Sequence, residues 1–519
     1  AALAGLAATG GDGLALAAFG YGDRSGGFHP VPKRLRGPVD RRADSRIAGG
    51  GAAVSGALGA AHRWRWQVRA LGFHDARNNG LAGAGNATRG IETAAIITGA
   101  PGPRLKITAA GFHRRRLFRN RFVAVLDEER SLTRPVLDQF RVPGRASGGN
   151  LDLVWTPAGP LARLTVGIDG ERRTGATHER FRNLGDGFTR RRLAGGATTR
   201  LGGYLEAALV PLSGWTVTAS LRADGWRIGP GREVIAALST GAVLEETRAP
   251  ARHGAVVTGG LTATGPIAPG LRLHLSARRG WRLPTLNELF RPFRVGNTAT
   301  RANAGLAPER LEAVQIVLAS PRDALITWRL GGHLGRLVDG IGNVTIGSGP
   351  GRFPSVGFLP ADGILRERRN IPRIRLAGAD FRIAIRPWRQ GELVAAGLFR
   401  DERITRAPAV APALAGRRVA QVPRFSARIA FTQDVGRRLS LSLHLNHLGR
   451  AFEDDRASLV LAGATVVGAG LVWRPRPHWR LILTAENIFD RTVMNRIAPD
   501  GLITRARPAR LLLRLAWRS

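Results

Sequence analysis

The sequence contains no cysteine, one methionine and two tyrosines among its 519 residues. Without cysteine the chain forms neither disulfides nor thiolate metal sites. No uninterrupted run of about 18 apolar residues occurs, so the sequence predicts no transmembrane helix. The most apolar stretch, residues 459–473, is interrupted by glycine and threonine and predicts a turn followed by a strand. No basic segment precedes an apolar core near Ala1, so we expect any signal peptide to lie outside this chain.

Negative charge and lysine are also scarce, whereas arginine is abundant. The chain has 78 Lys+Arg against 38 Asp+Glu, and its formal net charge is +40. Such a charge can indicate nucleic-acid binding. The arginines are, however, dispersed along the whole chain, and the longest runs, 114–116 and 190–192, are three residues long. With no zinc-finger spacing and no basic region leading into heptads, nucleic acid is not an expected partner, and a soluble basic nucleic-acid-binding protein is the weakest alternative.

What the sequence has in quantity is period-two alternation, which is typical of β-strands with two unlike faces. Leu271, Leu273 and Leu275 alternate with polar residues, and the same pattern recurs at 425–432, 439–446 and 511–518. Further strands are predicted at 105–110, 151–155, 161–169, 216–224, 256–262, 325–330 and 373–385. Between them lie breaks rich in Gly, Pro, Asn and Asp, some short and some long.

These features favour a membrane β-barrel over a soluble β-sandwich. Strands continue for some 500 residues without a change of composition, one face carries Arg, His, Asn and Ser, and short turns alternate with long polar loops. Spanning strands of about 9–11 residues would give roughly 22 strands. We therefore predict an all-β, closed antiparallel transmembrane β-barrel occupying residues 1–519, with no plug domain in this chain. Because tyrosine is scarce, tryptophan and phenylalanine would have to form the aromatic girdles.

Two segments resemble signatures of the TonB-dependent outer-membrane receptors. The segment 281–312 resembles the mid-barrel signature of that family, with an aromatic-Arg-x-Pro-Thr-x-x-Glu-Leu part and an Asn-x-x-Leu-x-Pro-Glu return. The segment 485–493, AENIFDRTV, resembles the signature of the penultimate strand. The matching residues are Trp281, Arg282, Pro284, Thr285, Glu288, Leu289, Asn303, Leu306, Pro308, Glu309, Glu486, Asn487, Phe489 and Asp490.

This resemblance implies a monomeric receptor in contact with lipid in the outer membrane of a Gram-negative bacterium. It would take up a scarce small-molecule or metal-chelate ligand, most often an iron–siderophore complex and less often cobalamin or a saccharide. Energy would come from the TonB complex, a partner expected only if a plug and a TonB box lie upstream. If Arg272, Arg278, Arg428 and Arg514 face the lumen, they would favour an anionic ligand. A passive porin-like channel and a non-functional receptor fragment remain alternatives.

The matching residues are expected to be architectural, and the ligand-binding residues stay unassigned. Glu288, Glu309 and Glu312 are expected to pair with Arg282 or Arg310 in the lumen, and the motif asparagines suit turns or bonds to backbone. No Gly-x-Ser-x-Gly, Walker or His-Glu-x-x-His motif occurs, so no enzyme activity, catalytic residue or cofactor is expected. The acidic run 452–455 is interpreted as a solvated loop, and no metal site is expected.

Overall fold

The computed structural model of the protein describes residues 2–9, 13–59, 63–321, 324–353 and 356–517. Almost all of its regular structure is β-strand, as the alternation predicts. One α-helix, α1, is described at Leu286–Phe290, and two short 3-10 turns lie at Lys33–Leu35 and Pro412–Leu414. Among these residues no helix is both long and apolar enough to cross a membrane.

In the described part of the chain, twenty-one long strands alternate in direction and form the wall of the molecule. They are β1 (Ala2–Thr9), β2 (Ala15–Ser25), β3 (Ser45–Leu58), β4 (Trp64–Asn78), β5 (Gly85–Gly102), β6 (Leu105–Val125), β7 (Thr133–Trp155), β8 (Leu161–Asn183), β9 (Phe188–Leu209), β10 (Thr216–Ile228), β13 (Arg252–Ala268), β14 (Leu271–Arg282), β17 (Glu309–Ala319), β18 (Ile326–Ser348), β21 (Ile364–Trp388), β22 (Gly391–Arg406), β23 (Phe425–Val435), β24 (Leu439–Leu448), β27 (Ala464–Trp473), β28 (Trp479–Glu486) and β31 (Arg510–Trp517).

Ten shorter strands lie in the long connections between these wall strands. They are β11 (Gly231–Ala237), β12 (Val243–Ala249), β15 (Phe293–Val295), β16 (Thr298–Arg301), β19 (Gly351–Phe353), β20 (Gly357–Leu359), β25 (Ala451–Phe452), β26 (Val460–Leu461), β29 (Met494–Ile497) and β30 (Ile503–Arg505). Four of them, β11, β12, β15 and β16, join the large sheet, whereas the other six form separate two-stranded sheets.

The wall strands form one continuous sheet in which each strand pairs with its neighbours in the chain, always antiparallel. Closure of the barrel, which the sequence analysis predicts, is not found among the described residues. β1 pairs only with β2, and β31 pairs only with β28. Because 21 is odd, the first and last strands run in the same direction, so they cannot close the sheet by an antiparallel pairing with each other.

The two ends of the sheet differ strongly. At one end the connections are short, such as residues 103–104, 269–270 and 389–390. At the other end they are long, such as residues 26–44, 229–251 and 283–308. β7, β8, β18 and β21 have 23 to 25 residues, about twice what a tilted spanning strand needs, so their loop ends project well beyond the membrane.

The two faces of the sheet also differ, and the strand register carries each face from strand to strand. On β9, Leu201 and Leu205 point outward, and their partners on β8, Gly170 and Val166, share that face. The face that carries Leu271, Leu273 and Leu275 on β14 continues through Leu261 of β13 and Ile316 of β17. The opposite, inner face carries mostly polar and charged side chains. The predicted separation of an apolar and a polar face on β14 is therefore confirmed.

Nine of the 11 tryptophans lie on or beside the outer face at the end with short turns. Two examples are the cross-strand pair Trp479 and Trp517, and Trp215, whose ring covers Gly265 on the outer face of β13. The nine are Trp64, Trp66, Trp155, Trp215, Trp328, Trp388, Trp473, Trp479 and Trp517. Tryptophan thus supplies an aromatic girdle that tyrosine is too scarce to form.

Candidate functional site

The loop after β14 contains the only α-helix among the described residues, and it starts with a capping box. The Thr285 hydroxyl accepts a hydrogen bond from the Glu288 N–H, 3.3 Å away. In return, the Thr285 N–H donates to the Glu288 carboxylate at 2.6 Å. These reciprocal bonds satisfy N–H groups that a helix start leaves unpaired. Pro284 is almost fully buried and precedes the N-cap instead of standing inside the helix.

Two motif residues before the helix attach this loop to the barrel wall. The Trp281 indole N–H donates to the Asp224 carboxylate of β10 at 2.8 Å. The Arg282 guanidinium donates to Glu288 at 3.0 and 3.2 Å and also to Glu309 on β17. Arg282 therefore connects the helix to both adjoining strands, and its predicted pairing with Glu288 and Glu309 is confirmed.

The apolar face of α1 is buried against the inner face of β9 and the hairpin strand β11. Leu289 and Phe290 pack with Ile228 and Leu306 in one buried cluster. The Phe290 ring occupies space that only glycine leaves free, since a Cβ on Gly196 would lie 2.5 Å from it. The long connection therefore folds into the barrel opening instead of extending away from it.

The return segment of the motif is fixed by bonds to main chain. The Asn303 N–H donates to the Glu288 carbonyl oxygen, and its side-chain amide donates to the Arg368 carbonyl oxygen at 3.0 Å. Arg252 donates to the carbonyl oxygens of Ala304 and Leu306 at 2.5 and 2.9 Å. Pro308 ends the return directly before β17. These contacts give the loop residues structural partners within the protein.

Beneath this loop lies a cavity of about 620 Å³. Its wall is formed by the inner faces of β6 to β9 together with residues 281–287 and 291. Consecutive residues 142–146 and 173–177 border it, so main chain contributes to the lining beside side chains. The inward arginines that line it are Arg114, Arg116, Arg173, Arg200, Arg282 and Arg291.

Most of these cavity arginines already have a carboxylate partner. Arg114 pairs with Glu92 at 2.7 Å and Arg173 with Glu171 at 2.8 Å. Arg291 donates to the fully buried Glu179 at 2.9 Å. Arg116 differs, since its guanidinium carbon lies over the Phe73 ring, 5.8 Å from the ring centroid.

A second set of arginines lies on the inner face of other strands, as the sequence analysis supposes. Arg272 and Arg278 occupy the inner positions of β14, and Arg428 and Arg514 occupy those of β23 and β31. Arg428 donates weakly to the Asn446 amide oxygen at 3.4 Å. None of the four forms an ion pair with any described residue, so the lumen wall carries uncompensated positive charge.

The second motif segment lies at the end of β28, on the same rim of the barrel as the long loops. Glu486 pairs with Arg510 of β31 at 2.8 Å. The buried Asn487 accepts from the Arg491 N–H and donates to the Arg491 carbonyl oxygen. Asp490 accepts from the Ala509 N–H, whereas Phe489 is 70% exposed. Asn487 and Asp490 both adopt positive φ, at 49° and 45°, which Asn and Asp tolerate better than most residues.

Two details differ from the sequence analysis. Glu312 lies on the outer face, where it pairs with Arg279 and Arg336, and Arg310 pairs with Asp339. Glu309 and Glu312 are three residues apart, so period-two alternation places them on opposite faces. The run 452–455 is no solvated cluster either, because buried Asp454 accepts from the Ser458 and Leu459 N–H groups.

No group of three or more His, Asp or Glu side chains suited to a metal occurs in the part of the chain that the structure describes. The acids of residues 452–455 instead have separate partners. Asp455 accepts from the Thr345 N–H and hydroxyl, at 2.7 and 2.8 Å. Glu453 accepts from the Gln421 amide at 3.2 Å. Apart from the motif residue Arg282, the cavity arginines were not predicted as part of a site. In the run 114–116 each arginine is followed or preceded by another arginine, so the local sequence does not mark which of them face inward.

Comparison with known proteins agrees with this architecture. Residues 5–488 match the family described as TonB dependent receptor-like, beta-barrel. The siderophore receptor PiuA from Acinetobacter baumannii superposes with a TM-score of 0.74 at 11% identity, over 99% of this chain and 79% of that one. The ferric yersiniabactin uptake receptor FyuA from Yersinia pestis gives 0.72 at 12% identity, over 98% and 76%. The copper transporter OprC gives 0.77 at 14% identity, over 99% and 79%. No curated protein sequence matches the chain.

The large antiparallel sheet with a polar inner face and an apolar outer face defines the class of outer-membrane β-barrel proteins. Within that class the chain belongs to the TonB-dependent receptor family. Proteins of this family lie in the outer membrane of Gram-negative bacteria and are transporters, not enzymes.

Proposed function

We propose that this protein is the barrel of an energised receptor that takes up a scarce anionic ligand, with an iron–siderophore complex as the first candidate. The observation that carries the proposal is the arginine-lined cavity of about 620 Å³ beneath the folded loop. It lies on the side of the long loops, where a ligand from outside arrives first. Such a volume falls in the range of small-molecule sites, about 300–1,000 Å³.

The charge of the lumen supports an anionic ligand. Arg116 borders the cavity without a carboxylate partner in the described residues, and Arg272, Arg278, Arg428 and Arg514 are likewise uncompensated. A wall of one charge sign concentrates ligands of the opposite sign, and this effect weakens as salt screens it. The remaining cavity arginines are held in place by their carboxylates, so they present fixed N–H donors.

Two further features belong to the same proposal. In the membrane, the sheet closes into a barrel of about 22 strands. If a plug domain and a TonB box precede the barrel, the TonB complex supplies the energy by acting on them. The receptor works as a monomer. The motif residues from Trp281 to Glu309 serve as the scaffold that holds the loop over the cavity.

Ligand binding by the purified, refolded barrel in vesicles tests the proposal. The probes are a negatively charged ferric tris-catecholate and an uncharged ferric tris-hydroxamate. We expect the catecholate to bind more tightly, its affinity to fall with salt, and Arg116→Gln to weaken it by about tenfold. Arg104→Gln is the matched control, because Arg104 lies in the short turn at the opposite end of β6.

Two results would contradict the proposal. Equal affinity for both chelates at all salt concentrations would remove the electrostatic argument. A large steady ion conductance in planar bilayers without binding of either chelate would favour a passive channel instead.

A further inference from the structure

The outer face of β5 to β8 carries four arginines at one level. Arg89, Arg115, Arg145 and Arg172 share the face of Ile91, Ile107, Leu153 and Ile168 on the same strands. Arg115 and Arg145 stand directly opposite each other across β6 and β7, and Arg172 stands opposite Ser147. All four side chains are exposed. They span three strand spacings, about 14 Å.

The height of this cluster follows from strand geometry. Arg115 lies ten residues from Leu105, the first residue of β6, and Arg145 lies ten residues from Trp155 in the tryptophan girdle. Ten residues at about 3.3 Å each, tilted by about 45°, rise about 23 Å along the membrane normal. The apolar band of such barrels is about 25 Å tall. The four arginines therefore lie where the hydrocarbon ends and the headgroups of the outer leaflet begin.

No anion of the protein neutralises these side chains. Among the residues that the structure describes, none of the four forms an ion pair. The outward positions of β5 to β8 between the short turns and this level contain no Asp or Glu. Like charges directly opposite each other on a sheet destabilise it. An external anion bound between Arg115 and Arg145 would therefore stabilise this part of the sheet.

We propose that this surface, Arg89, Arg115, Arg145 and Arg172, binds a lipid of the outer leaflet whose headgroup carries phosphate. Guanidinium groups bind phosphate oxygens in bidentate fashion, and the apolar residues below the arginines provide the surface for acyl chains. His113, which hydrogen-bonds to Ser147 at 2.8 Å, lies within the same cluster and adds a further polar contact. The lipid would bind on the outside of the barrel, separate from any ligand in the lumen.

Lipid binding by the folded protein in zwitterionic detergent tests this proposal. The probes are lipid A with its phosphates, dephosphorylated lipid A and inorganic phosphate, and native mass spectrometry counts the lipid retained. We expect phosphorylated lipid A to bind at least about tenfold more tightly than the dephosphorylated form. The triple variant R115Q/R145Q/R172Q should lose this preference, whereas R115K/R145K/R172K should keep most of it. Heat-modifiable migration confirms that each variant is folded.

The matched control is R279Q/R336Q/R375Q, which removes three outward arginines that already have carboxylate partners. It should retain the phosphorylated lipid as the unmodified protein does. Equal binding of both lipids, or undiminished binding by the glutamine variant, would overturn the proposal. Loss of binding in the control would show a general charge effect and overturn it as well. Displacement of the lipid by inorganic phosphate at equal concentration would indicate a free-anion site instead.

Discussion

Two stretches of the outer face, β5 to β8 and β14 to β22, carry arginine at a similar height. They differ in whether these arginines have carboxylate partners. On the second stretch Glu312 stands between Arg279 and Arg336, at 3.7 and 2.5 Å. Asp401 likewise accepts from three arginines, which are Arg375, Arg403 and Arg418. On the first stretch the arginines have no described carboxylate partner.

The difference shows that a high arginine content has more than one structural consequence in this chain. Where an acid lies between two arginines on neighbouring strands, the sheet compensates its own charge. Where none does, the positive charge remains available to the surroundings, namely lipid on the outer face and ligand in the lumen. Removing or supplying a carboxylate should therefore change both stability and binding.

The largest effect among these variants is expected at a buried ion pair between the loops 26–44 and 126–132. Asp40 accepts two bonds of 2.7 Å from Arg130, and it is 4% exposed. Burial by itself would raise the pKa of Asp40, but the bonds from Arg130 outweigh it and lower the pKa. Asp40→Asn leaves a buried guanidinium unpaired, and we expect a loss of about 3–5 kcal/mol.

Hydrogen exchange of residues 26–44 and 126–132 measures that local stability. Asp44→Asn, at an exposed position of the same loop, is the control and should change little. Similar exchange in both variants would show that the Asp40–Arg130 pair contributes nothing to the loops.

Acid should remove one of the two carboxylate partners of Arg282, namely Glu288. Burial would raise the pKa of Glu288, but the bonds from Arg282 and Thr285 hold it below its ordinary 4.5. A carboxyl with a lowered folded-state pKa contributes stability above its unfolded pKa and loses it as pH falls through the folded value. The protection of α1 should therefore be constant from neutral pH to about 4.5 and then fall as Glu288 is protonated.

Glu288→Gln provides the comparison for this titration. Its loop should be less protected at neutral pH, and the step below pH 4.5 should be much smaller. Hydrogen exchange of residues 283–291 between pH 3 and 7 measures both, and an unchanged acid step in the variant would assign the titration to another group.

On the outer face, Glu312→Gln should make the second stretch resemble the first. Arg279 and Arg336 are about half exposed, so the loss should be modest, about 1 kcal/mol or less. Urea unfolding from vesicles, followed by tryptophan fluorescence, measures it. The variant should also retain more phosphorylated lipid A than the unmodified protein. Unchanged retention would contradict the idea that carboxylate partners keep the arginines of the second stretch from binding lipid.

The smallest effect is expected from the reverse change. Ser147→Glu places a carboxylate between the outward arginines of β6 to β8, opposite Arg172. Cross-strand pairs of opposite charge contribute about 0.2–1 kcal/mol, so the unfolding midpoint should rise slightly while lipid A retention falls. Ser147→Gln is the neutral control, and equal lipid retention in both variants would indicate that charge is not the cause.

Much of the fold could be predicted because β alternation is a local property. The sequence placed Leu271 and Arg272 on opposite faces correctly, since neighbouring side chains of a strand point to opposite sides. The capping box at Thr285 and Glu288 is equally local. The assignment of Glu312 to the lumen was wrong, although the same period-two rule places it opposite Glu309.

The sequence by itself determined the class of fold, the two faces of each strand and the family. Only the tertiary structure decided which arginines have partners, because cross-strand neighbours such as Arg115 and Arg145 depend on register between distant segments. It also decided that the loop at 283–308 folds inward over a cavity, since Phe290 needs Gly196 and Gly231, which come from other strands. Closure likewise depends on the number of strands and their directions, a property of the whole sheet that no single segment encodes.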